Sequence, residues 1–378
     1  MLETLTMAAV YFGLALVAGL LAKRLGIASA LLEVSFGIAA QFAAMRWLGS
    51  GLGADETWIK FLAAAGAMFL TFMAGAEVSP DVVRKKWKEV VAIGGLSFLG
   101  PFLLCTAMAF YLLGWTVRAS WLCGVALSGT SVAVIYAVTL EQGLNKSEFG
   151  KTLLAACFVT DLLTVSALGL IFSGFSIRVV IFLAASLLTL ATLPFLTRWI
   201  IRHYCDLASE LEIKFLACLL LALGALAVWA GSEAVLPAYV AGIVVASRMG
   251  REEMLVRRLR AVSFGFITPF FFIRAGALVS IPALISAPIL LMILLIGKVL
   301  SKSLAVFPMT LICRYSPRDG AFATLLMSTG LAFGTIASIF GLQHGIINQA
   351  QYSLLVGAIV ASAIVPTLVA ILFFRPRC

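Results

Sequence analysis

Ala74-Gly75-Ala76-Glu77-Val78-Ser79 returns 201 residues later as Ala275-Gly276-Ala277-Leu278-Val279-Ser280. Two further echoes keep nearly the same spacing. Ser128-Gly129-Thr130 is answered by Ser328-Thr329-Gly330 at an offset of 200, and Leu140-Glu141-Gln142-Gly143 by Leu342-Gln343-His344-Gly345 at an offset of 202. Three matches at almost one spacing mark an internal repeat. Each lies in or beside an apolar run of the length, about 17 to 25 residues, that crosses ~30 Å of hydrocarbon. Matching runs are seven apart, an odd number, so the two copies cross the bilayer in opposite directions. Inverted repeats of this kind are a signature of secondary transporters, whose two pseudo-symmetric halves give inward-open and outward-open states of similar energy.

The apolar runs lie near Met7–Ala22, Ile27–Ala44, Trp58–Ala76, Val90–Leu113, Ser120–Thr139, Thr152–Phe172 and Val179–Leu196. They continue near Phe215–Trp229, Val235–Ala246, Phe264–Leu278, Ala283–Phe307, Ala321–Phe340 and Tyr352–Phe373. These predict an all-α polytopic protein of about thirteen spans. Residues 1–173 form the first repeat, 174–213 carry a linker span, and 214–378 form the second repeat, with no stretch left for a soluble domain. Composition agrees: 62% hydrophobic, 12% charged and a mean hydropathy of +1.11 are far from soluble averages. The first run follows acidic Glu3 and lacks the basic start and cleavage site of a secretory signal, so it reads as a mature helix. The net charge of +10 sits in short loops and so points to lipid headgroups and topology, not to nucleic acid. Alternate loops hold the basic residues, from Lys23 and Arg24 through Arg84, Lys85, Lys86 and Lys88 to Arg248–Arg260 and Arg375, while the other side has only Arg46, Lys60, Arg118 and Arg178. By the positive-inside rule the N-terminus is outside and the C-terminus inside a bacterial cytoplasmic membrane. The seven cysteines show no CxxC or Cys/His spacing, and no cofactor is implied.

Spans five and twelve share Gly/Ser/Thr-rich middles, Leu127-Ser128-Gly129-Thr130-Ser131 and Met327-Ser328-Thr329-Gly330-Leu331. At repeat-related positions these predict broken helices, whose unwound backbone frees carbonyls for a cation. Asp161 stands mid-span with no charged residue between Lys151 and Arg178. Ionised at a helix centre it costs ~2.5 to 3.5 kcal/mol, so it must be protonated, paired or bound to a metal cation. Each of those states suits an exchanger. A monovalent cation at Asp161 would complete its oxygen shell with hydroxyls of Thr130, Ser131 and Thr160. Lys298, inside Leu295-Ile296-Gly297-Lys298-Val299-Leu300, lies too far from the span ends to snorkel and is expected to face Asp161 or helix-end carbonyls. Arg274, Glu33 and Glu77 are nearer interfaces and read as structural pairs, and Glu233 as a loop residue. A membrane-embedded enzyme would need a convergent nucleophile and base or a metal site, and the chain offers only His203 in a loop and His344 near a span end, so an enzyme is not expected.

These residues resemble one family, the monovalent cation:proton antiporters of the second class, which include bacterial Na⁺/H⁺ and Kef-type K⁺/H⁺ exchangers. Its carriers here are Glu33, the stretch from Phe69 to Glu77, Gly129-Thr130-Ser131-Val132, Thr160-Asp161 and Gly297-Lys298-Val299-Leu300. The resemblance implies a homodimer with an outer scaffold and a moving core, two broken helices crossing at Gly129 and at Thr329-Gly330 beside the ion-binding Asp161. It also implies Thr130, Ser131 and Asp161 as ion ligands and Lys298 as the core lysine. The substrates would be Na⁺ or K⁺ and H⁺. Two departures bear on mechanism: Thr160 stands where electrogenic members carry a second Asp, and Thr329-Gly330-Leu331 stands where several relatives place Arg-Gly-Glu. Thr160 cannot supply a second charge, so electroneutral exchange is expected. The nucleotide-binding domain that Kef-type relatives append has no counterpart up to Cys378. The nearest rival is a sodium-coupled organic-anion symporter on a related fold, against which the buried Asp and Lys argue.

Overall fold

A computed structural model describes residues 2–25, 28–47, 51–76, 86–142, 144, 147–172, 177–204, 211–230, 235–248 and 253–375. Glu77, Val78, Ser79, Arg84, Lys85, Gly143, Glu233 and Cys378, all named above, lie outside the described residues, as do the side chains of Leu140, Glu141, His203 and Arg248. Every element among the described residues is helical. The first repeat holds α1 (Leu2–Leu25), α2 (Ser29–Trp47), α3 (Thr57–Ala76), α4 (Trp87–Tyr111), α5 (Val117–Ser128), α6 (Val132–Glu141) and α7 (Glu148–Phe172). After α8 (Ile177–Tyr204) the second holds α9 (Leu211–Ala230), α10 (Val235–Arg248), α11 (Glu253–Val262) and α12 (Thr268–Ala277), then α13 (Ile281–Ser286), α14 (Pro288–Ile312), α15 (Pro317–Met327), α16 (Ala332–Gln343) and α17 (Gln349–Phe373).

Two pairs of helices keep the offset of the short echoes. Helices α4 and α14 are both 25 residues long, as are α7 and α17, and each second copy begins and ends 201 residues after the first. Spans five and twelve both break, at 129–131 between α5 and α6 and at 328–331 between α15 and α16. Their entries are built alike: Thr116 caps α5 by accepting from the Ala119 amide, and Ser316 caps α15 by accepting from the Asp319 amide. The eleventh span starts five residues later than the Ala283 expected for it. Proline at 288 pushes Ala287 out of the helical region, to φ −135° and ψ 52°, which leaves α13 as a separate turn and restarts the chain as α14. The tenth span is likewise composite, with a π-helical turn at Ser263–Ile267 between α11 and α12.

Two compact units emerge. One comprises Met1–Glu56, Asp81–Thr164 and Phe272–Cys378, the other Thr57–Pro80 and Val165–Phe271. In the first, α2 and α12 meet at Gly37 and Gly276. A Cβ on Gly37 would strike the Ile273 carbonyl oxygen, and one on Gly276 the Val34 carbonyl oxygen. In the second, α3 and α10 meet at Gly75 and Gly242 in the same way, against the carbonyls of Tyr239 and Phe72. Gly75 and Gly276 are the glycines of the two Ala-Gly-Ala motifs. Helices lacking side chains at the crossing approach backbone to backbone, which suits a medium where close packing, not water exclusion, drives association. At one end of the first unit, Lys86 bridges Glu89 and Glu148, each at 3.5 Å, and the Tyr315 hydroxyl donates to Glu89 at 2.9 Å. Burial, reinforced by Glu89, holds the Tyr315 phenol above the usual tyrosine range. Behind that cluster lies an apolar layer of Ile93, Ile135, Leu153, Phe322 and Met327.

Candidate functional site

The two breaks meet inside the first unit. Helix α5 ends at Ser128, and its last carbonyls have no helical partner because the chain leaves the helix at Gly129, φ −56° and ψ 151°. Ser131 then restarts the chain, its hydroxyl accepting from the Val134 amide at 3.4 Å at the head of α6. On the other break, the Thr329 hydroxyl donates to the Leu326 carbonyl at 2.7 Å. The Thr130 hydroxyl ties the two by donating to the Met327 carbonyl at 3.5 Å. Gly129 and Gly330 leave the room that this approach requires. A Cβ on Gly330 would stand 3.0 Å from the Gly129 oxygen, and one on Gly129 3.4 Å from the Gly334 amide.

Asp161 faces this junction from α7 and is 1% exposed. The Thr130 backbone and the Lys302 ammonium lie close enough to act on its carboxyl group. Its Oδ1 is buried and has no hydrogen-bond partner. A carboxylate oxygen left bare in so dry a place is an incomplete site, because an unsatisfied buried polar atom carries its full desolvation cost. Thr160, beside it in sequence, turns elsewhere. Its hydroxyl donates to the Gly94 carbonyl of α4 at 3.0 Å and to the Ala156 carbonyl at 3.1 Å. Its proton thus ties α7 to α4. The next hydroxyl along α7, Thr164, does reach the junction, 3.3 Å from the Ser128 hydroxyl.

Two lysines of α14 enter the same unit, both fully buried. Lys302 makes the bonds to a helix end that were expected of Lys298. Its ammonium donates to the Ser97 hydroxyl at 2.7 Å, the Ser128 carbonyl at 2.7 Å and the Thr130 hydroxyl at 3.1 Å. A cation at the carbonyl end of α5 also meets the negative end of that helix dipole. Lys298, one turn earlier, packs against Gly330, and its Nζ has no hydrogen-bond partner. Lys302, Ser97 and Thr164 are therefore the site residues that sequence reasoning passed over. Lys302 had a signal: it stands as near the middle of its helix as Lys298, and the four-residue spacing puts both on one helix face. The repeat supplies no second acid. The residue 201 positions after Asp161 is Ser362, fully buried, its hydroxyl donating to the Ile359 carbonyl at 2.7 Å. Arg274 and Glu33 stay away from the junction residues just named: Arg274 donates from Nε to the Ala54 carbonyl at 2.7 Å, and Glu33 is buried in α2.

Comparison with known proteins adds a second line. The family described as "Sodium/hydrogen exchanger, transmembrane" matches residues 12–375. Among curated relatives, a probable Na(+)/H(+) antiporter 3 from Methanocaldococcus jannaschii is 25% identical over 343 residues, 86% of each chain. An Na(+)/H(+) antiporter from Enterococcus hirae is 23% identical over 92% of each chain. The glutathione-regulated potassium-efflux system protein KefC of Klebsiella pneumoniae is 26% identical over 80% of this chain, which covers 49% of that longer protein. Among solved structures, the sodium proton antiporter MjNhaP1 from M. jannaschii superposes over 99% of this chain and 100% of its own, with a TM-score of 0.74 at 19% identity.

Proposed function

The chain belongs to the sodium/hydrogen exchanger family, and from that premise we propose that it exchanges a monovalent cation, Na⁺ or K⁺, for a proton by alternating access, with Asp161 as the one carboxylate that both ions share. The observation that carries this reading is the bare, buried Oδ1 of Asp161 at the meeting of two broken helices. Thr130 and Ser131 add hydroxyls and the breaks add carbonyls, the oxygen donors a hard cation takes. With Asp161 protonated or cation-bound, its charge is neutralised and the unit that carries it crosses the low-dielectric zone at little cost. With Asp161 bare and ionised, desolvation holds it back, which prevents leak. Thr160 brings no second charge to the cycle, so the exchange is electroneutral. The role of charge partner, expected at Lys298, is assigned to Lys302. We place the protein in a bacterial cytoplasmic membrane as a homodimer, N-terminus outside and C-terminus inside.

Asp161→Asn tests the reading. In liposomes this variant should insert and dimerise yet lose Na⁺- or K⁺-driven proton movement, because an amide keeps the shape and cannot titrate. In the unmutated protein, apparent cation affinity should fall as pH falls, since protons compete for the same group. Proton movement that persists in purified Asp161→Asn would place the carrier elsewhere.

A further inference from the structure

Resting on the reading of Asp161 as the ion carrier, we propose that the Lys302 ammonium is a tethered cation in an oxygen seat that a free ammonium-sized cation, NH₄⁺, K⁺ or Rb⁺, could fill, and that Ser97 sets how strongly the transported ion must compete with it. A lysine ammonium has three protons and no acceptor. All three are used here, on the Ser97 hydroxyl, the Ser128 carbonyl and the Thr130 hydroxyl, at 2.7, 2.7 and 3.1 Å. The seat holds neutral oxygens from two helices and a break, where a salt bridge would have brought a carboxylate. That is the kind of shell a hard monovalent cation takes.

The seat overlaps the ion site at Thr130, whose hydroxyl serves the ammonium while its backbone lies beside Asp161. A cation arriving at Asp161 and drawing on the Thr130 hydroxyl or the Ser128 carbonyl must loosen the ammonium from them. Ser97 lies on α4, outside both breaks, and its hydroxyl adds to the hold on the seated ammonium that an arriving cation must overcome. Local sequence builds Ser97 for this. Pro101, four residues on inside α4, has no N–H, so the Ser97 carbonyl is freed from the helix ladder and the residue presents a second oxygen. Ser97 is itself fully buried, so water does not take over either role. Lys298 gives the contrast: equally buried and one turn away, it has no partner for its ammonium.

Two variants separate this from a lysine that merely braces three helices. Ser97→Ala removes a charge-assisted bond from the competitor alone, so the apparent affinity for the driving cation should tighten, by about tenfold for a bond of that class. A brace would loosen affinity or leave it unchanged, and either result overturns the proposal. Lys302→Ala empties the seat. Purified Lys302→Ala should gain thermal stability saturably with NH₄Cl, at a half-saturating concentration at least about tenfold below that of the unmutated protein, and gain nothing from choline chloride at equal ionic strength. Equal responses to NH₄⁺ and choline, or equal responses of variant and parent, would refute it. If Lys302→Ala does not fold, the Ser97→Ala affinity decides alone. Both readouts report seat occupancy, whereas Asp161→Asn reports the carrier, so the two ideas can fail separately.

Discussion

Arg314 holds a left-handed backbone, φ 63°, where the first repeat has Gly114 at φ 64°. Both turns follow a 25-residue helix, Tyr315 N–H reaching back five residues to the Thr310 carbonyl at 3.1 Å and Trp115 N–H six residues to the Ala109 carbonyl at 3.0 Å. A side chain in that region costs on the order of 1 kcal/mol, which glycine avoids. Arg314 is exposed. Arg314→Gly should therefore raise stability by about 1 kcal/mol, seen as a higher thermal midpoint in detergent; a lower midpoint would mean that the guanidinium offsets its own strain. Single residues were unequally legible in the sequence. Asp161 stood out because a lone acid in an apolar run has no neutral explanation. The hydroxyl direction of Thr160 was not legible, because adjacent residues on a helix point about 100° apart and only the position of α4 decides which way it goes. Lys302 escaped because Lys298 had already filled the role it was looked for in.

The elements were easier to foresee than their ends. Apolar length located the spans, and Gly/Ser/Thr-rich middles located both breaks, since backbone that leaves a helix at membrane depth needs such residues and needs them buried. The start of α14 was missed because hydropathy continues smoothly through Ala287, and only the constraint of Pro288 on its predecessor stops the helix. The glycine crossings belong to this scale as well. Gly75 and Gly276 were recognised as repeated letters, but their partners Gly242 and Gly37 could be found only in three dimensions, because nothing in a sequence says which helices touch. Gly276→Ala and Gly75→Ala each set a methyl against a carbonyl oxygen. Overpacking of this kind typically costs about 1 to 3 kcal/mol. Both variants should lose thermal stability to a similar degree, measured side by side with Gly13→Ala, where open space surrounds the added carbon. A Gly276→Ala protein as stable as Gly13→Ala would show that the helices can part without loss.

At the scale of the molecule, one expectation can be read without knowing which cation is carried. Moving a net charge across the membrane is worth ~2.3 kcal/mol per 100 mV, so an electrogenic exchanger must shift its steady-state ion gradient when a potential is imposed. With one carboxylate in the cycle, the gradient held by liposomes should be the same at zero potential and under a potassium-valinomycin potential, assayed with Na⁺ as the driving ion. A shift would show that a lysine gives up a proton in each turnover and that the count is two for one. The architecture around that carboxylate is doubled and the carboxylate is not: α7 carries Asp161, while α17, its copy, carries Ser362 at the corresponding place. The two halves therefore divide the work, the acid standing on α7 of one and the buried lysines Lys298 and Lys302 on α14 of the other, so that neither half can drift without disturbing the site.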